Sequence, residues 1–271
     1  MSMKKGNLIY LSSLLQTESA YKNAADNLSA AFDAREIKYT WIDHTKDIWL
    51  RDFMPVKTRS GKYVSFRYEP SYLADAPNLR TDFRRDIAPQ LGVSVCDSDI
   101  NLDGGNVVFS PSKRRVIISD RVFSENPERE RAGLIRELEK QLEAEVLLIP
   151  SLRSDMTGHA DGMVRFVDET TVIGNAVPFK KGFEQRVKDA LKSYGVHVID
   201  FPFFFGKGGG VGCYLNFLQT EQCIFLPAFG SERDAEAVSA AKSIFNKAVV
   251  PVDIRAIAKE GGGLNCISWE I

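Results

Sequence analysis

The sequence predicts an α/β fold assembled from five ββαβ repeats, and three observations carry that expectation. Short glycine-rich segments recur along the chain: Trp49-Leu50-Arg51-Asp52, Asp103-Gly104-Gly105-Asn106, Gly158-His159-Ala160-Asp161, Gly212-Cys213-Tyr214-Leu215-Asn216 and Gly262-Gly263-Leu264-Asn265-Cys266. With Asp52, Asp103, Asp161, Cys213 and Cys266 as markers, the steps are 51, 58, 52 and 53 residues, and a fixed period near 50 residues marks a repeat architecture. The same order of elements fills each interval, and the two ends of the chain supply complementary parts of one further unit.

Taken in order, residues 7–14, 19–34 and 37–43 read as strand, helix and strand with no motif in front. Each later motif reads as a strand and is followed by a second, at 62–67, 115–119, 171–174 and 223–226, where short β-rich runs bounded by Gly, Ser and Lys signal hairpins. Helices are expected at 78–91, 127–143, 182–194 and 231–246; in the second, Ala132, Leu134, Ile135, Leu138 and Leu142 recur at helical spacing among charged residues. Third strands follow at 93–95, 144–149, 196–199 and 249–252. The motif strand missing at the start stands at 263–271. Pairing it with the N-terminal strand closes a five-bladed α/β propeller, one domain over residues 1–271, and leaves no sheet edge exposed. An open parallel sheet is the competing reading of alternating strands and helices. The motif period favours the ring.

Composition narrows the function classes. A chain of 271 residues with 44% hydrophobic content can bury a full core. Lys+Arg 35 against Asp+Glu 36 leaves a net charge of −1, so there is no electrostatic footprint for nucleic acid or an anionic membrane. The expected partner is a small molecule, and a homodimer is compatible with a chain of this size. Lys4 and Lys5 precede an apolar run, but Ser12 and Ser13 interrupt it and no small-residue cleavage site follows, so it reads as a strand. No stretch approaches ~20 apolar residues, the length a membrane helix needs. Cys96, Cys213, Cys223 and Cys266 lie far apart without CxxC spacing, which argues against a disulfide framework or zinc and points to a reducing cytoplasm.

The motifs carry the chemistry. Cys266 follows the run Glu260 to Asn265, where three glycines allow close approach of backbone or ligand. An arbitrary cysteine is an inert small hydrophobe more often than a nucleophile; register with four other polar motifs reverses those odds. A thiol needs a neighbouring base or a lowered pKa to act, and His159 is the candidate base. His44 and His197 occupy ordinary strand-edge positions. His159 and Asp161, two apart on an expected strand, face the same side. A metal site lacks its third and fourth ligands at the usual spacing. Asp52 and Asp103 could each cap a turn, but three carboxylates around one thiol and one imidazole are costly unless something cationic and planar binds among them. A guanidinium fits, since its fork of N–H donors matches carboxylates in charge-assisted pairs.

Together these segments resemble a known family. Trp49-Leu50-Arg51-Asp52, Gly104-Gly105-Asn106, Gly158 to Phe166 and Gly261 to Cys266, with Tyr214 to Leu218 and Pro227 to Gly230, are similar to the motifs of agmatine deiminases and bacterial-type peptidyl-arginine deiminases over residues 41–271. That resemblance to the guanidine-modifying enzymes implies a five-bladed propeller and a hydrolase that uses no cofactor and no metal. It implies that Cys266 is the nucleophile, that His159 is the general acid and base, and that Asp103 orients His159. It also implies that Asp52 and Asp161 grip the guanidinium. Asn106 and Trp49 fall at the substrate, although Trp49 also reads as a core aromatic. The chain departs from the family pattern at Met54, usually Gly, at Asp103, usually Glu, and at Asn265, usually His. Agmatine or an arginine derivative is the expected substrate. Peptidyl-arginine, free-arginine and methylarginine hydrolases, amidinotransferases and a non-catalytic binding propeller are the alternatives. The glycine run 206–212 has the glycine content of a phosphate loop but lacks the GK[ST] ending, so it reads as a flexible rim.

Overall fold

The computed structural model describes residues 8–176 and 182–271. The start of the first expected strand, residue 7, lies outside them. The chain opens with β1 (Ile9–Ser12), the helix Lys22–Asp33 and β2 (Tyr39–Ile42). Three strands then follow in each of four repeats: β3 (Val56–Lys57), β4 (Tyr63–Arg67) and β5 (Val95–Asn101); β6 (Val108–Phe109), β7 (Arg115–Ser119) and β8 (Glu145–Ile149); β9 (Val164–Phe166), β10 (Thr171–Asn175) and β11 (His197–Phe201); β12 (Leu218–Gln219), β13 (Cys223–Ala228) and β14 (Ala248–Asp253). The last strand is β15 (Ser268–Glu270).

These strands form five three-stranded mixed sheets with one topology. In each, the middle strand pairs antiparallel with a short strand and parallel with the strand that follows the helix. The fifth sheet combines both ends of the chain, with Tyr10 opposite Trp269 and Leu11 opposite Ser268 on one side and Ile9 beside Tyr39 on the other. The expected pairing of the N- and C-terminal strands is therefore present.

Chain contacts divide the molecule into two compact units, Met1–Arg51 with Pro202–Ile271, and Asp52–Phe201. The first holds the sheets β15-β1-β2 and β12-β13-β14. Its core includes Leu11, Leu28 and Phe32, with Phe32 edge-on to Phe225 at 4.9 Å. The second holds the other three sheets and two apolar clusters, one around Ile118, Leu134 and Leu138, the other around Val164, Val172 and Leu191. Burying a side chain of this size stabilises the fold by about 1.5–3 kcal/mol.

The helices follow their sequence signals with two departures. In Arg131–Leu142, Leu134, Leu138 and Leu142 point inward, and the Glu130 carboxylate accepts from the N–H groups of Ala132 and Gly133, so the helix starts four residues later than the apolar pattern predicts. The expected helix 78–91 is broken into a 3₁₀ turn Pro77–Leu79, a π turn Phe83–Ile87 and an α turn Ala88–Leu91. Pro89 lacks the N–H that a continuous α-helix would aim at the Arg85 carbonyl, and the wider turn accommodates the gap.

A further correction concerns the motifs. They are single turns placed just ahead of the short strands: Leu50–Phe53 is one α turn, and Gly104–Asn106 and Ala160–Gly162 are 3₁₀ turns. Glycines offer no Cβ to pack on a pleated surface, and the turns close on themselves through Asn106 N–H to Asp103 O and Met163 N–H to Ala160 O, both 3.0 Å.

Candidate active site

Each unit carries its own cluster of reactive and polar side chains. In the unit Asp52–Phe201, Asp103 and His159 stand at the N-caps of their turns in extended conformation, so each side chain leaves the chain where the backbone changes direction. His159 Nε2 lies 2.8 Å from Asp103 Oδ2, and His159 Nδ1 lies 3.5 Å from Asp52 Oδ1. All three residues are buried, as is Asp161. The shorter stem of Asp103 therefore reaches the imidazole without difficulty.

With a carboxylate at each ring nitrogen, the imidazole is held as a cation. Burial opposes that charge, but Asp52, Asp103 and Asp161 outweigh it, and the His159 pKa is pushed up to about 10. Tyr72 O–H donates to the same Asp103 Oδ2 at 2.8 Å. Burial first, then Asp103, Asp52 and Tyr68, hold that phenol well above its ordinary pKa.

Gly105 explains the glycine of the second motif. Its N–H donates to Asp52 Oδ1 at 3.1 Å, and an added Cβ would stand 2.6 Å from both Asp52 Oδ1 and His159 Nδ1. Only a bare backbone fits there. Asn106, assigned to substrate by resemblance, has its amide bonded to backbone. Its Oδ1 accepts from the N–H groups of Ser119 at 2.8 Å and Ala160 at 3.2 Å, and its Nδ2 reaches Ser119 O at 3.5 Å. Ser119 Oγ in turn donates to Gly158 O at 2.7 Å. These bonds fix both sides of His159.

In the other unit, Cys266 lies buried in the turn between Leu264 and Ile267. Asn216 clamps it at two points: the Cys266 N–H donates to Asn216 Oδ1, and Asn216 Nδ2 donates to Cys266 Sγ, each at 3.1 Å. The amide thus meets both the backbone and the side chain of the cysteine. A Cβ on Gly263 would come within 2.9 Å of Asn216, so this approach also requires glycine. Arg51 binds the Cys266 turn as well, with its N–H on Cys266 O at 2.9 Å, Nε on Asn265 O at 3.3 Å and a guanidinium nitrogen 3.3 Å from Glu270. Trp49 is half-buried and lies close enough to Gly262 that any side chain there would strike its ring.

Met54 and Asn265 are buried. In the glycine run 206–212, residues 206–209 are exposed, while Gly210 is buried and its N–H donates to Ala258 O at 2.9 Å; Cβ atoms at Gly208 and Gly210 would meet Lys259 and Gly262. His44 and His197 are exposed.

Sequence reasoning did not anticipate the contact of Tyr72 with Asp103 or that of the Asn216 side chain with Cys266. The second had a signal, since Asn216 holds the N–H of Cys266 just as Asn106 holds that of Ala160, each from the motif preceding. Tyr72 lies in a segment with no motif of its own. Among the described residues no cluster of His, Cys, Asp and Glu forms a metal site, and no helix is long and apolar enough to cross a membrane.

A model of the Porphyromonas-type peptidyl-arginine deiminase family matches residues 10–271. The chain belongs to that family. It is a family of hydrolases acting on amidine C–N bonds. A Selenomonas ruminantium protein provisionally named an agmatine deiminase is 24% identical over 95% of this chain and 82% of its own length. Among solved structures, the C. jejuni agmatine deiminase aligns with a TM-score of 0.76 at 15% identity, over 98% of this chain and 93% of that one. The agmatine deiminase of Enterococcus faecalis gives 0.76 at 17% identity with the same coverage. These likenesses show an α/β fold shared with those solved structures, and the five mixed sheets fit it.

Proposed function

We propose that this protein is a deiminase that hydrolyses the guanidinium of agmatine or an arginine derivative to a ureido product and ammonia, without a cofactor, from one five-bladed propeller domain. The observation that carries the reading is the buried imidazole held between the carboxylates of Asp52 and Asp103 within a family of amidine hydrolases. A resting imidazolium is a proton donor, which is what expulsion of an amine from a tetrahedral carbon requires.

In this proposal Asp52 and Asp161 grip the substrate cation through charge-assisted hydrogen bonds. The Cys266 thiolate adds to the central guanidinium carbon, forming a C–S bond. His159 gives its proton to one terminal nitrogen, the C–N bond breaks, and ammonia leaves a covalent thiouronium. Neutral His159 then takes a proton from water as the oxygen adds to the same carbon. Rupture of the C–S bond returns the thiolate, and the proton remaining on the oxygen passes to solvent as the ureido product leaves. Asp103 orients the ring throughout, and Asn216 favours the anionic sulfur at the start and end of the cycle.

The agmatine deiminases among the similar proteins support a small guanidine substrate. Ammonia and ureido product are to be measured from agmatine, arginine, methylarginine and a peptidyl-arginine with wild type and Cys266→Ala. Turnover of one class by wild type and none by Cys266→Ala is expected. Full turnover by the variant would remove the covalent mechanism, and inertness of wild type toward all four would remove the function.

A further inference from the structure

The Pro70–Arg80 segment supplies the feature that the proposed chemistry leaves unused. Ser71–Leu73 forms a 3₁₀ turn whose first residue is fastened to the helix Arg121–Glu125. Ser71 N–H and Oγ donate to the two oxygens of Glu125 at 2.9 and 2.7 Å, and Arg121 bonds both Ser71 Oγ and Glu125. That fastening sets the direction of the next side chain. Tyr72 runs inward, its ring edge-on to the His159 imidazole at 6.3 Å between centroids, and its O–H ends 2.8 Å from Asp103 Oδ2. One carboxylate oxygen therefore receives both the phenol and the imidazole.

We propose that Tyr72 is a positioning residue for His159 that acts through Asp103, fixing the carboxylate plane and drawing off part of the charge that would otherwise bind the imidazole proton. This inference rests on the reading of His159 as the proton carrier. A proton held too tightly is slow to leave, and a donor competing for the same oxygen weakens the grip. Tyr72 is suited to this because it keeps its proton: burial, Asp103, Asp52 and Tyr68 all oppose its ionisation. The charged and titratable groups facing the pair are Asp52, Asp103 and Asp161 on His159, and Asp103, Asp52 and Tyr68 on Tyr72. The Arg121–Glu125 pair lines the small cavity beside both rings.

The test is a titration of the His159 ring by histidine 15N NMR from pH 7 to 11, assigned with His159→Asn. In Tyr72→Phe the midpoint is expected to rise by about one pH unit, because Asp103 is then left to the imidazole alone. Asp103→Asn should move it the opposite way. Glu125→Gln, at the fastening point of Ser71, should raise it by a smaller amount and serves if Tyr72→Phe does not fold. An unchanged or lowered midpoint in the folded variant, Tyr72→Phe or otherwise Glu125→Gln, overturns the inference. Turnover supplies the second readout: kcat is expected to fall about 10-fold in Tyr72→Phe with KM unchanged and the alkaline limb of the rate profile displaced upward. The NMR result needs no activity, so a wild type that turns over no guanidine defeats the proposed function and leaves the Tyr72 result standing.

Discussion

Asn216 holds Cys266 at both ends of one amide, with its oxygen on the cysteine's own N–H and its nitrogen on the sulfur. The first bond fixes the backbone from which the thiol projects, and in the proposed mechanism the second favours the anionic sulfur. Asn216→Ala should slow alkylation of Cys266 by iodoacetamide at neutral pH about 10-fold, read by peptide mass spectrometry so that Cys96, Cys213 and Cys223 are counted separately. Asn216→Asp, which replaces the donor by a negative charge, should slow it more. Equal rates in all three proteins would mean that the contact does nothing for the thiolate.

Gly105→Ala puts a methyl group where Asp52 and His159 already stand. Neither neighbour is the far end of a flexible surface chain, so the turn must move. We expect a loss of about 1–3 kcal/mol in stability and about 100-fold in turnover. Urea unfolding and the ammonia assay, run on the same preparation, measure both. Wild-type values in each would show that the turn has slack.

Asn106 separates two roles by kinetics. If it positions the His159 turn, Asn106→Ala lowers kcat and costs about 2–3 kcal/mol, because Ser119 and Ala160 lose buried partners. KM then stays near wild type. If it contacts substrate, KM rises instead, and the positioning role is wrong.

The charge on His159 makes stability depend on pH in a direction that can be stated. Its folded pKa of about 10 stands above the ordinary 6.5, so the native state binds the extra proton between those values. The contribution is fully present below pH 6.5 and is lost as pH rises toward 10. Urea midpoints of wild type should therefore fall more steeply from pH 7 to 10 than those of His159→Asn. Parallel slopes would indicate that the imidazole is not held as a cation.

Much of this molecule is legible in its sequence. Residue spacing locates all five repeats, and β-branched runs such as Arg115–Ser119 mark the central strands to within two residues at each end. Periodicity finds Phe183–Ser193, where Phe183, Val187 and Leu191 are buried. It overruns at 78–91, where Pro89 breaks a pattern that hydrophobicity alone would continue. Gly105 and Gly263 are visible as glycines, but the side chains they make room for come from distant stretches and leave no local trace. Tyr72 is hidden for the same reason: its importance lies in an oxygen 31 residues away.

The five sheets repeat one wiring, and in each the motif turn comes immediately before the short antiparallel strand. Asp52, Asp103, Asp161 and Cys266 thus stand at comparable positions, each in or beside the turn ahead of its own sheet's short strand and outside that sheet's hydrogen-bond ladder. Selection can exchange the occupant of such a position and test new chemistry while the supporting framework keeps its hydrogen-bond ladder. A protein wired in this way separates the evolution of its reactivity from the upkeep of its fold.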